Sequence, residues 1–192
     1  MTRKAGAAPA AAEPVAGAPA PDAGAPGAVM GSAPLLAAGE RVLLLGIGND
    51  LRGDDAAGPR VAQALDGRVT WGLRAVHGLT PELADDLAGC DVVLFVDAAA
   101  DPTLERPGWK HHHVRRGGAP ATPVLGHALD VPGLLDLSVR LHGGAPRAAT
   151  LALPARDFAL GETLTPEAAA GVEAAVAALL ALSAASSGRP AR

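Results

Sequence analysis

Apolar residues fall in short runs separated by turn signals, and the period of the runs alternates between that of a strand and that of a helix. Residues 42–45 are uninterrupted apolar positions, closed by Gly46-Ile47-Gly48-Asn49. This predicts a buried strand over 41–45, and the helically spaced run that follows predicts a helix over Ala57–Leu65. Partial alternation predicts a second strand over 69–76. Thr80-Pro81-Glu82 combines a good N-cap, a proline suited to the first turn and an acid that favours the helix dipole. A second helix is therefore expected from Thr80 to Leu87, stopped by Gly89. Residues 92–96 are wholly apolar and predict a central strand, whereas the polar, histidine-rich stretch 109–115 suits an edge. A third helix should start near Asp130, with Pro132 in its first turn, and end at His142 before Gly143-Gly144. Residues 148–153 read as a fifth strand, ended by Pro154. Thr165-Pro166-Glu167 then repeats the capping pattern for a last helix to about Ala185. The order β-α-β-α-β-β-α-β-α implies an α/β fold: a three-layer αβα sandwich around a five-stranded, mostly parallel sheet, phosphorylase/hydrolase-like in outline.

Composition adds boundaries. Residues 5–34 are almost entirely Ala, Pro and Gly, and such a segment buries too little surface to offset its ordering entropy. The expected organisation is a disordered tail over 1–39, one α/β domain over 40–185 and a disordered C-terminus over 186–192. The prolines interrupt any signal-peptide core, and there is no arginine pair at the N-terminus. Net charge is −4, which argues against nucleic acid as a partner. The single cysteine, Cys90, excludes an intramolecular disulfide and fits a reducing cytoplasm. No run reaches the ~20 apolar residues of a bilayer span. The Ala-rich stretch 168–185 comes nearest, and its glutamates and period suggest an amphipathic helix instead of a membrane segment. With aromatics at 2%, the core has to be built from Leu, Val and Ala.

The chemistry gathers where the first and third strands end. In doubly wound sheets these strands diverge at the switch point, and ligands bind at their carboxyl ends. The first strand leads through its glycine turn to Asp54-Asp55, the third ends in Asp97, and His127 stands just before the third helix. Two carboxylates and an imidazole at one crevice can form a transition-metal site with open positions. Each also has a plainer reading: Asp55 could cap a helix, Asp97 could cap a turn, and His127 could be a solvated loop residue.

Five motifs in order carry a family resemblance: G-I-G-N-D-L-R-G-D-D-A-A-G, G-L-T-P-E-L-A, D-V-V-L-F-V-D-A, G-H-A-L and G-E-T-L-T-P. Over 41–182 the chain resembles the hydrogenase maturation proteases, the endopeptidases that trim the large subunit of nickel–iron hydrogenases. The resemblance implies a nickel site made by Asp55, Asp97 and His127, with Asp55 and Asp97 also the catalytic candidates. It implies that the nickel is presented by the substrate, with other divalent metals able to bind in vitro. The implied partner is the nickel-loaded large-subunit precursor, whose C-terminal extension is removed; a monomer would suit an enzyme whose partner is a large protein. The chain departs from the family's pattern in three places. Ala56 and Ala57 precede Gly58 where glycine often follows the second acid, His77 stands where many members have an acid, and His127 lies in G-H-A where many relatives have S-P-H.

Other residues have structural readings. Asp54 is expected to set the turn, and His77 to serve as a structural hydrogen-bond partner. Cys90 is expected to be a small buried residue. His111-His112-His113 cannot converge on a regular strand, because neighbours point to opposite faces. Ser183, Ser186 and Ser187 lie near the C-terminus and give no support to a serine protease. Two alternatives remain at this level. One is a nickel-dependent chaperone that binds the same precursor without cutting it. The other is a nucleotide-binding module, disfavoured because the third glycine of a dinucleotide fingerprint is absent and two acids would repel a pyrophosphate.

Overall fold

A computed structural model of the chain describes residues 29–114 and 129–187. Its strands are β1 (Val42–Ile47), β2 (Gly72–Val76), β3 (Val92–Ala99), β4 (Gly108–His112) and β5 (Arg147–Pro154). Its helices are α1 (Ala57–Leu65), α2 (Leu83–Ala88), α3 (Val131–His142) and α4 (Pro166–Ser187). One sheet has the order β2-β1-β3-β5-β4, with β4 antiparallel and the other pairings parallel. The topological switch therefore lies between β1 and β3, as expected.

The continuous apolar strands are continuous because both faces are covered. Leu44, Val92, Leu94 and Val96 face α1 and α4, while Leu43, Leu45, Val93 and Phe95 face α2 and α3. Each fully buried leucine or phenylalanine contributes about 1.5–3 kcal/mol of transfer free energy. That total has to hold this chain together with almost no aromatic residues.

Four expectations need correction. β3 does not stop at Val96: β5 keeps pairing with it, Asp97 opposite Ala152 and Ala99 opposite Pro154, so Asp97 lies inside the strand. α2 does not start at Thr80. The Leu83 and Ala84 amides bond to the Thr80 and Pro81 carbonyls in a tight turn, the Thr80 hydroxyl bonds to the Glu82 carboxylate, and the helix begins one residue after Glu82.

The stretch from Val29 onward, read from sequence as part of a disordered tail, is packed along the sheet edge. Met30 exchanges backbone bonds with Pro107 and Trp109, the Arg147 guanidinium binds the Leu35 carbonyl, and Leu36 is buried in the core. Finally, α4 is not amphipathic in the usual sense. Ala168, Gly171, Ala175 and Leu179 face the core, but the opposite face is mostly alanine. By length and composition this helix is apolar enough to cross a membrane; here it packs against α1 and β5.

Candidate active site

The turn after β1 is built around Asn49. Its side-chain carbonyl accepts the Leu51 amide at 2.9 Å, and its backbone carbonyl accepts the Arg52 amide at 3.1 Å. This winds the chain into the short 3-10 turn over Gly53–Ala56, which carries both acids. Gly48 is required here: its φ is 142°, and a Cβ would fall 1.8 Å from the Asp55 carbonyl oxygen.

The two acids go to different partners. Asp54 is fully buried. Its Oδ2 accepts the Arg156 amide at 2.7 Å, the Asp157 amide at 3.1 Å and the Thr165 hydroxyl at 2.8 Å, and its Oδ1 accepts the Thr165 amide at 2.7 Å. Burial alone would raise this carboxyl. The bonds from Arg156, Thr165 and Asp157 outweigh it and hold the group below the usual carboxylate range. Asp54 thus sets the turn, as read from the sequence.

Asp55 lies close enough to Asp97 for its charge to act on it. The Asp55 Oδ2 accepts the Asn49 amide at 2.9 Å. Asp97 lines a crevice from β3. It is pushed up to about 6, first by burial and then by the charge of Asp55, against a bond from the Ala98 amide. The structure therefore brings two of the three expected ligands together, while His127 lies outside the described residues. Among the described residues, no three His, Cys, Asp or Glu form a metal-holding group. His77 Nδ1 lies 3.2 Å from the Gly48 carbonyl, so the imidazole buttresses the turn that presents Asp55.

Two carboxylates this close can do two things chemically. They can offer oxygen ligands to a divalent cation, which relieves the repulsion. They can also exchange a proton near neutral pH, because burial and the Asp55 charge push Asp97 up to about 6. The donor set fits a cation brought to the crevice. Asp97 opens into a cleft of about 760 Å³ whose lining also includes Ile47, His77, Lys110, Val131 and Thr150.

The remaining candidates are placed as follows. His111 Nε2 lies 2.9 Å from the Ser32 carbonyl and His112 Nε2 lies 2.8 Å from Thr150 Oγ1, so the histidine run splits between two sets of partners. The Cys90 thiol is half-buried and bonds to the Asp86 carbonyl; burial, then the Asp86 and Asp91 carboxylates, push it up against the pull of Arg41. Ser186 and Ser187 hydroxyls bond to the Ser183 carbonyl on the last turns of α4. Sequence reasoning missed Thr165 as a partner of Asp54. The only signal was its place as a helix cap, which it also is, accepting the Ala168 amide at 3.3 Å.

No protein-family model matches the sequence, and no curated protein matches it. Solved structures do. The hydrogenase maturation protease HycI from Thermococcus kodakarensis is 24% identical with a TM-score of 0.57, covering 75% of this chain and 93% of that one, and shares the fold. The maturating endopeptidase HybD from E. coli is 26% identical with a TM-score of 0.52, over 73% of this chain and 90% of that one. A hydrogenase 2 maturation peptidase from a Thaumarchaeota archaeon is also 26% identical with a TM-score of 0.52, over 74% and 97%. At 26% identity over 90% or more of two of these relatives, the chain is similar in fold and sequence to the hydrogenase maturation proteases, a family of peptidases.

Proposed function

We propose that this peptidase removes the C-terminal extension of a nickel–iron hydrogenase large-subunit precursor, and that it reads the nickel the precursor already carries. The observation that carries the reading is the Asp55–Asp97 pair. Two carboxylates are held close together although burial and then the Asp55 charge raise the cost of ionising Asp97, which is pushed up to about 6. Such an arrangement costs stability and is retained where it serves binding or catalysis. A cation brought by the substrate neutralises the pair. A precursor without nickel leaves the repulsion in place and docks poorly. In this reading Asp55 and Asp97 are two of the groups that meet the metal, and His127, assigned by the sequence resemblance, is the third. Asp97 is also the group suited to take a proton from the attacking water. Asp54, committed to four hydrogen bonds, plays no part in the chemistry. The enzyme acts as a monomer in the cytoplasm, where its client is assembled.

The test is a processing assay with nickel-loaded precursor and an unloaded control, with the precursor mass read before and after. Loss of a C-terminal peptide only from the loaded precursor, abolished by Asp55→Asn, is the expected result. A precursor that is bound but never shortened would establish the non-cutting chaperone instead.

A further inference from the structure

The cleft beside the acids is far roomier than a metal ion and its ligands require. At about 760 Å³ it runs from Asp97 across the α2/α3 face of the sheet to the edge strand β4. Its near part is mostly apolar, including Ile47, Leu79 and Ala98. Past its last pair with β1, at Gly46 opposite Val96, β3 keeps only β5 as a neighbour, so residues 97–99 border the cleft along one side.

The far end is polar. Along β4, Lys110 and His112 share one face, and Lys110 stands opposite Thr150 of β5. His112 and Thr150 satisfy each other at 2.8 Å. Burial, and then the nearby Lys110 charge, push the His112 imidazole below its ordinary value. The Asp130 carboxylate at the cleft wall caps α3 by accepting the Gly133 amide at 2.8 Å. Among the described residues, the Lys110 ammonium has neither a hydrogen bond nor an ion pair. The cleft thus ends in a cation whose neighbours are already occupied.

We propose that Lys110 is an anion subsite of the protease, holding a carboxylate of the precursor segment that lies extended along this cleft with its scissile bond at Asp55 and Asp97. The inference rests on the protease reading above. The geometry fixes where the carboxylate sits. Asp97 and Lys110 are separated by two strand spacings and by two residues along the strand direction, about 12 Å in all. At ~3.3 Å per extended residue this places the carboxylate about three or four residues from the scissile bond. It is supplied by an acidic side chain, or by the chain end if the extension is that short.

The experiment uses the full chain, nickel-loaded precursor and steady-state processing rates. Lys110→Met should raise KM roughly tenfold, the loss of one charge-assisted contact, and leave kcat within about twofold. Lys110→Arg should behave as wild type. Changing the precursor's acids within about five residues of the cut to amides, or giving the precursor a C-terminal amide, separates the two sources. The responsible change should raise KM for the wild-type enzyme and add nothing for Lys110→Met. An unchanged KM for Lys110→Met, equal sensitivity of both enzymes to every precursor change, or no carboxylate within that distance overturns the subsite alone. A wild-type enzyme that leaves the loaded precursor uncut overturns the protease reading, and the subsite with it.

Discussion

Asp54 and Thr165 stand 111 positions apart and meet through two hydrogen bonds, amide to Oδ1 at 2.7 Å and hydroxyl to Oδ2 at 2.8 Å. One buried carboxylate thereby joins the turn that carries Asp55 to the start of α4. Thr165 uses the same hydroxyl to cap that helix. The position of Asp55 is thus tied to the far end of the chain through main-chain donors, which have no freedom to swing away.

Asp54→Asn should therefore destabilise the whole domain and not merely the site. It replaces an acceptor facing four donors with a group that presents an N–H₂ to some of them, at a cost of about 2–4 kcal/mol. Urea unfolding should show a lower midpoint. Because the folded pKa of Asp54 lies below its ordinary 3.8, its contribution is present above about pH 4 and is lost as pH falls through the folded value. The variant should consequently show a shallower loss of stability in acid than the wild type.

Asp97 has the opposite sign. Its folded pKa of about 6 lies above the ordinary 3.8, so the native state binds more protons than the unfolded state between these values. Stability from this group declines as pH rises from about 4 to 6, and the full cost remains at neutral pH. Asp97→Asn should abolish processing while making the metal-free protein more stable at pH 7.5, by roughly 1–3 kcal/mol. Asp55→Asn should recover part of the same gain by lowering the Asp97 pKa, readable by NMR titration of that carboxyl. An Asp97 that titrates near 4 in the wild type would rule out the repulsive pair.

His77→Ala removes the support beneath Gly48 without touching the acids. The side chain is exposed, so thermal unfolding should change by less than about 1 kcal/mol. kcat should nevertheless fall several-fold, because the turn that aims Asp55 loses its brace. His77→Asn, whose amide nitrogen can reach the position of Nδ1, should restore most of the rate. A wild-type rate in the alanine variant would show that the bond at 3.2 Å is incidental.

Leu36→Ala tests whether the segment beside β4 belongs to the folded unit. Leu36 is only 5% exposed and packs in the cluster with Val42, Val92 and Leu179. Truncating it should cost about 2–3 kcal/mol in urea unfolding. A change below 0.5 kcal/mol would mean that the segment adds nothing to the core.

Much of the fold is legible from the sequence because its strongest signals are local. Residues 92–96 announce a strand covered on both faces, and Asp130 with Pro132 announces a capped helix; the Asp130 side chain does accept the Gly133 amide. The errors arise where distant residues decide. The end of β3 is set by how far β5 runs beside it, and nothing in Val96-Asp97 reveals that. The packing of Val29–Leu36 is hidden because Leu36 is one good anchor in a stretch of Ala, Pro and Gly. The closeness of Asp55 and Asp97 is foreseeable because each acid follows an apolar run and the two runs are adjacent strands. Their support is not: Thr165 and the amides after β5 are joined to Asp54 by contacts that leave no spacing in the sequence.

Gly58 sets the distance between α1 and the sheet by main-chain contact. A Cβ there would meet the Ile47 carbonyl oxygen at 2.3 Å and the Val96 carbonyl oxygen at 2.5 Å. The helix that begins beside Asp55 therefore rests on the backbones of β1 and β3, the strand that bears Asp97, with no side chain in between. The separation of the two acids is in that sense independent of what fills the core. In a chain with 2% aromatics, that spacing is a property of the main chain and does not depend on the size of any one interior side chain.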